Sequence, residues 1–261
     1  MLPVDTFLAV LRQQLLAEHG IPPFDASAPM PSREALLLSL IRWSVQATEA
    51  TAPTGQAQPD ERAAALAAAF WQQLPGVWRA LQADAAAISQ RDPAATSVAE
   101  VLCCYPAIVA ILSYRVAHLL HQVGVPLLPR IITERAHSLT GIDIHPAATI
   151  GRAFAIDHGT GIVIGATAII GNHVMLYQGV TLGAKNFQHD ASGRLLDQPR
   201  HPIIQDNVTI YANTTVLGRI TIGHDAVVGG NLWITHDVEP CSVVRQSKPI
   251  KQIGFTDGEG I

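Results

Sequence analysis

Residues Gly141–Gly183 read GIDIHPAATIGRAFAIDHGTGIVIGATAIIGNHVMLYQGVTLG, and every sixth residue from Ile144 is aliphatic: Ile150, Ile156, Ile162, Ala168, Val174 and Val180. A second series runs two residues later through Ile164, Ile170, Leu176 and Leu182. Neither the strand period of 2.0 nor the helix period of 3.6 produces a six-residue recurrence sustained this long. A parallel β-helix of hexapeptide repeats does, because each short strand sends one aliphatic side chain inward and a turn follows it. Gly151, Gly165, Gly171 and Gly183 directly follow series residues, where a tight corner favours a residue without a side chain. Asp143, Asp157 and His158 are polar exceptions inside this aliphatic lattice.

Downstream the lattice breaks once. Ala184–His201 (AKNFQHDASGRLLDQPRH) has no hexad pattern, is polar and carries Gly193 and Pro199, so it reads as an excursion loop. Ile204, Ile210, Val216, Ile222, Val228 and Ile234 then return at intervals of six. Three hexapeptides make one three-sided coil, so the two blocks predict about four coils stacked at roughly 4.8 Å. A β-helix this short leaves open ends and flat faces. Trimerisation would bury them, with the excursion loop reaching a neighbouring chain.

Upstream the period is helical. Val4–His19 carries Phe7, Leu8, Val10, Leu11, Leu15 and Leu16 at helical spacing, and Phe24–Pro31 is a loop by composition. Ser32 reads as the N-cap of a helix through Leu40 and Ile41. An alanine-rich helix over Asp60–Phe70 is expected to stop at Leu74–Gly76 and resume over Val77–Gln90. Asp92-Pro93-Ala94 makes a bend. One helix over Val98–Val123, kinked at Tyr105-Pro106, and a last helix over Leu127–Leu139 lead into the repeat. The fold class is therefore α+β: an N-terminal helical domain over 1–139, a left-handed parallel β-helix over 140–243 with its excursion loop at 184–201, and a tail over 244–261.

Composition excludes several classes. The formal charge of −4 supplies no basic field for nucleic acid or an anionic membrane. No apolar run reaches the ~20 residues that span a bilayer. The N-terminal MLPVDTFLAVLRQQ has no cationic region or cleavage pattern, which together with the three cysteines predicts a cytoplasmic protein. Cys103 and Cys104 read as small buried residues on a helix, and with Cys241 they form neither a disulfide framework nor a CxxC metal spacing.

Seven histidines lie from position 145 onward. No pair has the short spacing of a β-helix zinc site, so no metal is expected. His173, His224 and His236 fall in turns, and Tyr114-Arg115, His118 and His121 read as a polar helix face. His158 is followed by Gly159-Thr160-Gly161, which clears space around its imidazole. A neutral imidazole, whose unperturbed pKa is ~6.5, can take a proton from an alcohol if a carboxylate holds its tautomer, and Asp143 is placed on a neighbouring coil. A corner histidine that bonds a turn fits the same residues. Asp92 is likewise open between a turn residue and a site residue.

The segments IDIHPAA (142–148), IGR (150–152), DHGTG (157–161), QGVTLG (178–183), RHP (200–202) and the upstream DPA (92–94) resemble the serine O-acetyltransferases. Tyr114-Arg115 with His118 is similar to the helix before the repeat in that family, and the resemblance spans about residues 90–240. It implies acetyl transfer from acetyl-CoA to the hydroxyl of L-serine, with His158 as general base and Asp143 orienting it. It further implies that Asp92, Asp157, Arg200 and His201 bind the amino acid, the loop bringing the last two to the edge that carries His158 or across a subunit boundary. Backbone amides near Gly183 and Ala184 would face the acetyl oxyanion, and the pantetheine arm would pass Ala212 and Gly230. Lys248 and Lys251 read as solvated tail lysines that could also meet CoA phosphates, since the last coil departs from the family pattern after Gly230. The final Ile261 is similar to the terminal isoleucine with which family members engage O-acetylserine sulfhydrylase. A homotrimer or dimer of trimers and inhibition by L-cysteine are the remaining implications.

Overall fold

The computed structural model describes residues 3–18, 20–21, 32–51, 58–186, 190, 192–194, 196 and 198–246. Six helices come first. α1 (Pro3–Glu18) buries Val4, Phe7, Leu11 and Leu15 along one stripe. α2 (Arg33–Thr51) starts as expected at Ser32, whose Oγ accepts the Ala35 N–H at 3.2 Å. α3 (Pro59–Arg91) runs unbroken through Pro75 and does not stop at Leu74–Gly76 as the sequence suggested. Phe70, Leu74, Trp78 and Leu81 form one buried stripe across that point. A mid-helix proline costs about 3 kcal/mol, and burying four large apolar side chains at roughly 1.5–3 kcal/mol each outweighs it.

The helix expected over Val98–Val123 is two helices. α4 (Val98–Cys104) and α5 (Pro106–Gln122) meet at 77°. Pro106 forces Tyr105 into extended backbone, φ −79° and ψ 125°, which is too open for a kink within one helix. α4 turns Val101 and Leu102 inward and leaves Cys103 and Cys104 exposed, contrary to their reading as buried residues. α6 (Leu128–Thr140) ends at Gly141, whose φ of 71° makes the left-handed turn into the repeat. No single helix among the described residues is long and apolar enough to cross a membrane.

The β-helix winds through five coils, one more than expected. The first holds β1 (Asp143–Ile144), β2 (Thr149–Ile150) and β3 (Ala155–Asp157). The second holds β4 (Val163–Ile164), β5 (Ile169–Ile170) and β6 (Met175–Tyr177). The third holds β7 (Thr181–Gly183), β8 (Ile203–Ile204) and β9 (Thr209–Ile210), with the excursion loop between β7 and β8. The fourth holds β10 (Thr215–Leu217), β11 (Thr221–Ile222) and β12 (Val227–Val228), and the last β13 (Trp233–Ile234) and β14 (Val243–Val244). All pairings are parallel and make three faces: β1-β4-β7-β10-β13, β2-β5-β8-β11 and β3-β6-β9-β12-β14. We call them the first, second and third faces.

Register explains the two interleaved aliphatic series. Ile144 pairs with Ile164, a step of 20 residues, whereas Ile164 pairs with Leu182, a step of 18. The first coil therefore carries two extra residues, and they lie between Asp157 and Val163, where Tyr177 and Thr181 of the next coil are closer in sequence. The inward column passes from Ile144, Ile150 and Ile156 to Ile164, Ile170 and Leu176 at that step. The core is continuous from Phe7 in α1 to Val228 in β12.

The helices are fastened to the first coil by polar bonds. Tyr114 and Arg115, read from sequence as a polar face, are buried. The Tyr114 hydroxyl donates to Ala148 O at 2.7 Å, and Arg115 bonds both oxygens of the buried Asp84 on α3. A charged side chain enters a core only with such partners.

Candidate active site

The corner between β3 and β4 protrudes because of its two extra residues, and it carries His158. His158 has φ 55°, the left-handed conformation that His173, Asn213 and Asp225 also take at corners of this β-helix. Gly159 (φ 92°) lets the corner close: a Cβ there would stand 2.6 Å from Ile142 Cδ1 and 2.7 Å from Ile156 Cγ2. Gly161 N–H then bonds Gly141 O at 2.8 Å, tying the corner to the end of α6. The imidazole stands out into solvent, its side chain 72 % exposed, with Nε2 3.8 Å from Asp157 Oδ1.

Asp92 joins this corner from the helical side. It caps the C-terminus of α3, and its Oδ1 accepts the Ala94 N–H at 2.8 Å. Its Oδ2 accepts the Tyr105 hydroxyl at 2.6 Å. The Tyr105 bond first, and the Ala94 bond second, hold the carboxyl below the usual carboxylate range, and His158 is close enough to favour its charge further. The same bond pushes the Tyr105 hydroxyl up to about 12, with Asp157 adding to the effect. Asp92, Asp157 and His158 thus share one electrostatic neighbourhood at this corner. Tyr177 lies directly above Asp157 in the register and stacks on Tyr211, ring centroids 4.8 Å apart.

Asp143 opens β1, half-buried at the start of the first face. The structure places it on the same coil that ends in His158, not on a neighbouring coil as the spacing suggested, because this first coil takes 20 residues to return to its starting face. No hydrogen bond joins the two side chains. Asp143 acts electrostatically on His145, whose ring is held below its ordinary pKa by burial first.

Arg200 and His201 sit at a different corner. They lead from the excursion loop into β8, between the first and second faces, whereas His158 lies between the third and first. Within one chain they do not reach the edge of His158, where the sequence reading had placed them; the width of the first face separates the two corners. Thr167 anchors them. Its Oγ1 accepts the N–H groups of Arg200 and His201 at 2.9 and 3.1 Å, and its own N–H donates to His201 Nδ1 at 3.2 Å. Nδ1 is therefore an acceptor and the ring proton sits on Nε2. Burial, then Arg200, His145 and Arg219, pull the His201 pKa down to about 4, so the ring is neutral. It lies flat on Gly165, where a Cβ would come within 2.0 Å of Cδ2 and Nε2. Arg200 also lines a cleft under the loop with Lys185, Leu217, Gly218 and Arg219.

The residues expected to meet the acyl donor divide in the same way. Gly183 ends β7 beside the Arg200 corner, and Ala184 follows it. Ala212 and Gly230 stack above the His158 corner on the third and fourth coils, half-buried, and a Cβ on Gly230 would stand 3.0 Å from Ala212 O. Among the described residues one trio of potential metal ligands converges: His224, Asp225 and Cys241, all exposed, at a corner of the fourth and fifth coils remote from His158. Ile261, Lys248, Lys251 and His189 lie outside the described residues.

Sequence reading missed Tyr105 and Thr167. Pro106 was the available signal for the first, since it fixes the residue before it. Thr167, a polar residue between Ala166 and Ala168 in the lattice, was the signal for the second.

No protein-family model matches the chain. A plasmid-borne serine acetyltransferase of Synechococcus elongatus is 49 % identical over 220 residues, 84 % of this chain and 69 % of that protein. The chain belongs to the serine acetyltransferase family. Its fold agrees. Serine acetyltransferase isoform 3 of Entamoeba histolytica, solved in complex with cysteine, matches with a TM-score of 0.76 and 35 % identity over 97 % of this chain and 85 % of that one. The Neisseria gonorrhoeae serine acetyltransferase solved in complex with serine matches with a TM-score of 0.62 and 28 % identity over 93 % and 95 %. With the family come the class of enzyme, an acyltransferase, and the hand of the β-helix, left-handed.

Proposed function

We propose that the chain transfers the acetyl group of acetyl-CoA to the hydroxyl of L-serine, giving O-acetyl-L-serine and CoA, the first step from serine to cysteine. The observation that carries this reading is the gathering of two carboxylates, Asp92 and Asp157, around an exposed histidine at the corner that carries two extra residues. Paired carboxylates answer an ammonium, and Arg200 with neutral His201 answers a carboxylate and its oxygens. A sugar hydroxyl, the alternative acceptor, needs neither charge.

In this mechanism His158 Nε2 accepts the serine hydroxyl proton as that oxygen bonds to the thioester carbonyl carbon. The developing oxyanion faces the N–H groups at Gly183 and Ala184. His158 returns the proton to the departing CoA sulfur as the C–S bond breaks, leaving the ring neutral. Asp143 orients the imidazole, turning toward it when the acceptor is bound. Ala212 and Gly230 border the pantetheine arm.

The two halves of the site lie at opposite edges of the first face, so a homotrimer, or a dimer of trimers, completes it by setting one protomer's His158 corner against the next protomer's Arg200 corner. The serine and cysteine held by the relatives above support an acceptor pocket that also takes L-cysteine as an inhibitor. The terminal Ile261 is proposed to engage O-acetylserine sulfhydrylase in the cytoplasm.

The test is acetyl-CoA consumption with serine, homoserine and a panel of sugars. Consumption confined to sugars would sink the assignment. His158→Ala should lower turnover with serine by at least ~100-fold, as removal of a general base does.

A further inference from the structure

Asp84 lies on α3, eight residues before Asp92, and is fully buried. Arg115 of α5 grips it with two bonds, Nε to Oδ2 at 2.5 Å and Nη2 to Oδ1 at 2.8 Å. The remaining contact of Oδ1 is with the β-helix: it accepts the N–H of Phe154 at 2.9 Å, three residues before Asp157. Arg115 Nη2 also donates to Gly151 O at 2.8 Å, in the same coil. One carboxylate thus holds both α3, which Asp92 caps, and the segment that runs from Phe154 through β3 to His158.

A buried ion pair is a poor way to gain stability. The cost of removing both charges from water offsets most of their attraction, and a well-packed apolar pair often serves as well or better. What an apolar pair lacks is direction. The guanidinium fork and the backbone N–H fix the carboxylate in orientation as well as in place, and so fix α3 against β3. Displacement of a binding group by 1 Å can cost on the order of 10²-fold in rate.

We propose that Asp84, held by Arg115, is a positioning residue for the acceptor pocket: it sets Asp92 on the helical side against Asp157 and His158 on the β-helix. The proposal rests on the reading that Asp92 and Asp157 receive the acceptor's ammonium.

Three variants test it, with serine KM, acetyl-CoA KM, kcat and Tm measured for each: Arg115→Lys, Asp92→Asn, and Asp84→Leu combined with Arg115→Met. The apolar pair leaves the Phe154 N–H and Gly151 O without these partners, which offsets the gain from removing two buried charges. It is therefore expected to fold with a Tm near or below wild type, to raise serine KM by about tenfold or more and to leave acetyl-CoA KM within about twofold. Arg115→Lys keeps the charge and loses the fork, and should shift serine KM in the same direction. Wild-type serine KM in the folded apolar pair would overturn the proposal, because the ion pair would then be purely structural. If the apolar pair does not fold, unchanged serine KM in Arg115→Lys overturns it. Asp92→Asn separates the two levels. If it leaves serine KM unchanged, the ammonium assignment fails and the positioning role with it; if it raises serine KM while the other variants do not, only the positioning role fails.

Discussion

Tyr105 donates its phenolic hydrogen to Asp92 Oδ2 across 2.6 Å, joining the residue set by the Pro106 break to the end of α3. That bond is the largest cause of the low pKa of Asp92. Tyr105→Phe removes it, so the Asp92 pKa should rise toward the ordinary carboxylate value of about 3.9. Asp92 is ionised at neutral pH with or without this bond, so the effect is on its placement: the carboxylate loses its anchor and serine KM should rise several-fold. Steady-state kinetics at neutral pH check this. An unchanged serine KM would mean that the Tyr105 bond does not hold Asp92 in place for the acceptor.

Thr167 performs a comparable service for the other half of the site. Its hydroxyl oxygen accepts both N–H groups of the Arg200–His201 pair, which leave the excursion loop with no strand to satisfy them. Thr167→Val keeps the shape and removes the acceptor, leaving two N–H groups unpaired, each at roughly 1–3 kcal/mol if it stays buried. Thr167→Ser keeps the acceptor. We expect serine KM to rise by about tenfold or more in the valine variant and to stay near wild type in the serine variant. Equal behaviour of the two would show that the hydroxyl has no such role.

His201 gives a signature in stability. Its folded pKa, about 4, lies below the ~6.5 of an unfolded histidine. Between those values the unfolded chain binds the proton and the folded chain does not, so stability rises with pH across the interval. The contribution is complete above pH ~6.5 and is lost as pH falls toward 4. Denaturant unfolding of wild type and His201→Gln at steps of pH should show a shallower dependence in the variant, by up to one proton. Parallel curves would place His201 in a wetter setting than the Gly165 surface provides.

How far the sequence could be read depended on what each signal measured. The six-residue recurrence reports which side chains point inward, and it is visible because burial of Ile, Leu and Val dominates the energetics of each coil. It even contained the two-residue step at His158, as a second series offset by two, although the offset has meaning only once Ile144 is seen to pair with Ile164. Helix ends were legible where a cap acts locally, as at Ser32. They failed at Pro75, where burial of Phe70 and Trp78 across the break decided the outcome, and at Tyr105, where a kink and a 77° corner have the same sequence. Asp84 and Arg115 could not be paired at all, because 31 residues separate them and nothing local links their side chains. The division of the site between two corners was hidden for another reason: spacing along a chain gives the coil, and the face requires the register.

That division leads to a last expectation. His158 lies at the entry to the first face and Arg200 at its exit, so the proposed mechanism needs the corners of two protomers. His158→Ala and Arg200→Ala should each be nearly inactive alone. Co-expressed in equal amounts and mixing at random within a trimer, they should recover activity, because a protomer with intact His158 can face one with intact Arg200. Each of the two conditions is met half of the time, so recovery should approach about a quarter of wild type under cyclic symmetry. A site contained within one chain predicts no recovery at any mixing ratio. Titrating the ratio adds a second check, since activity should peak at equal amounts and fall off symmetrically on either side.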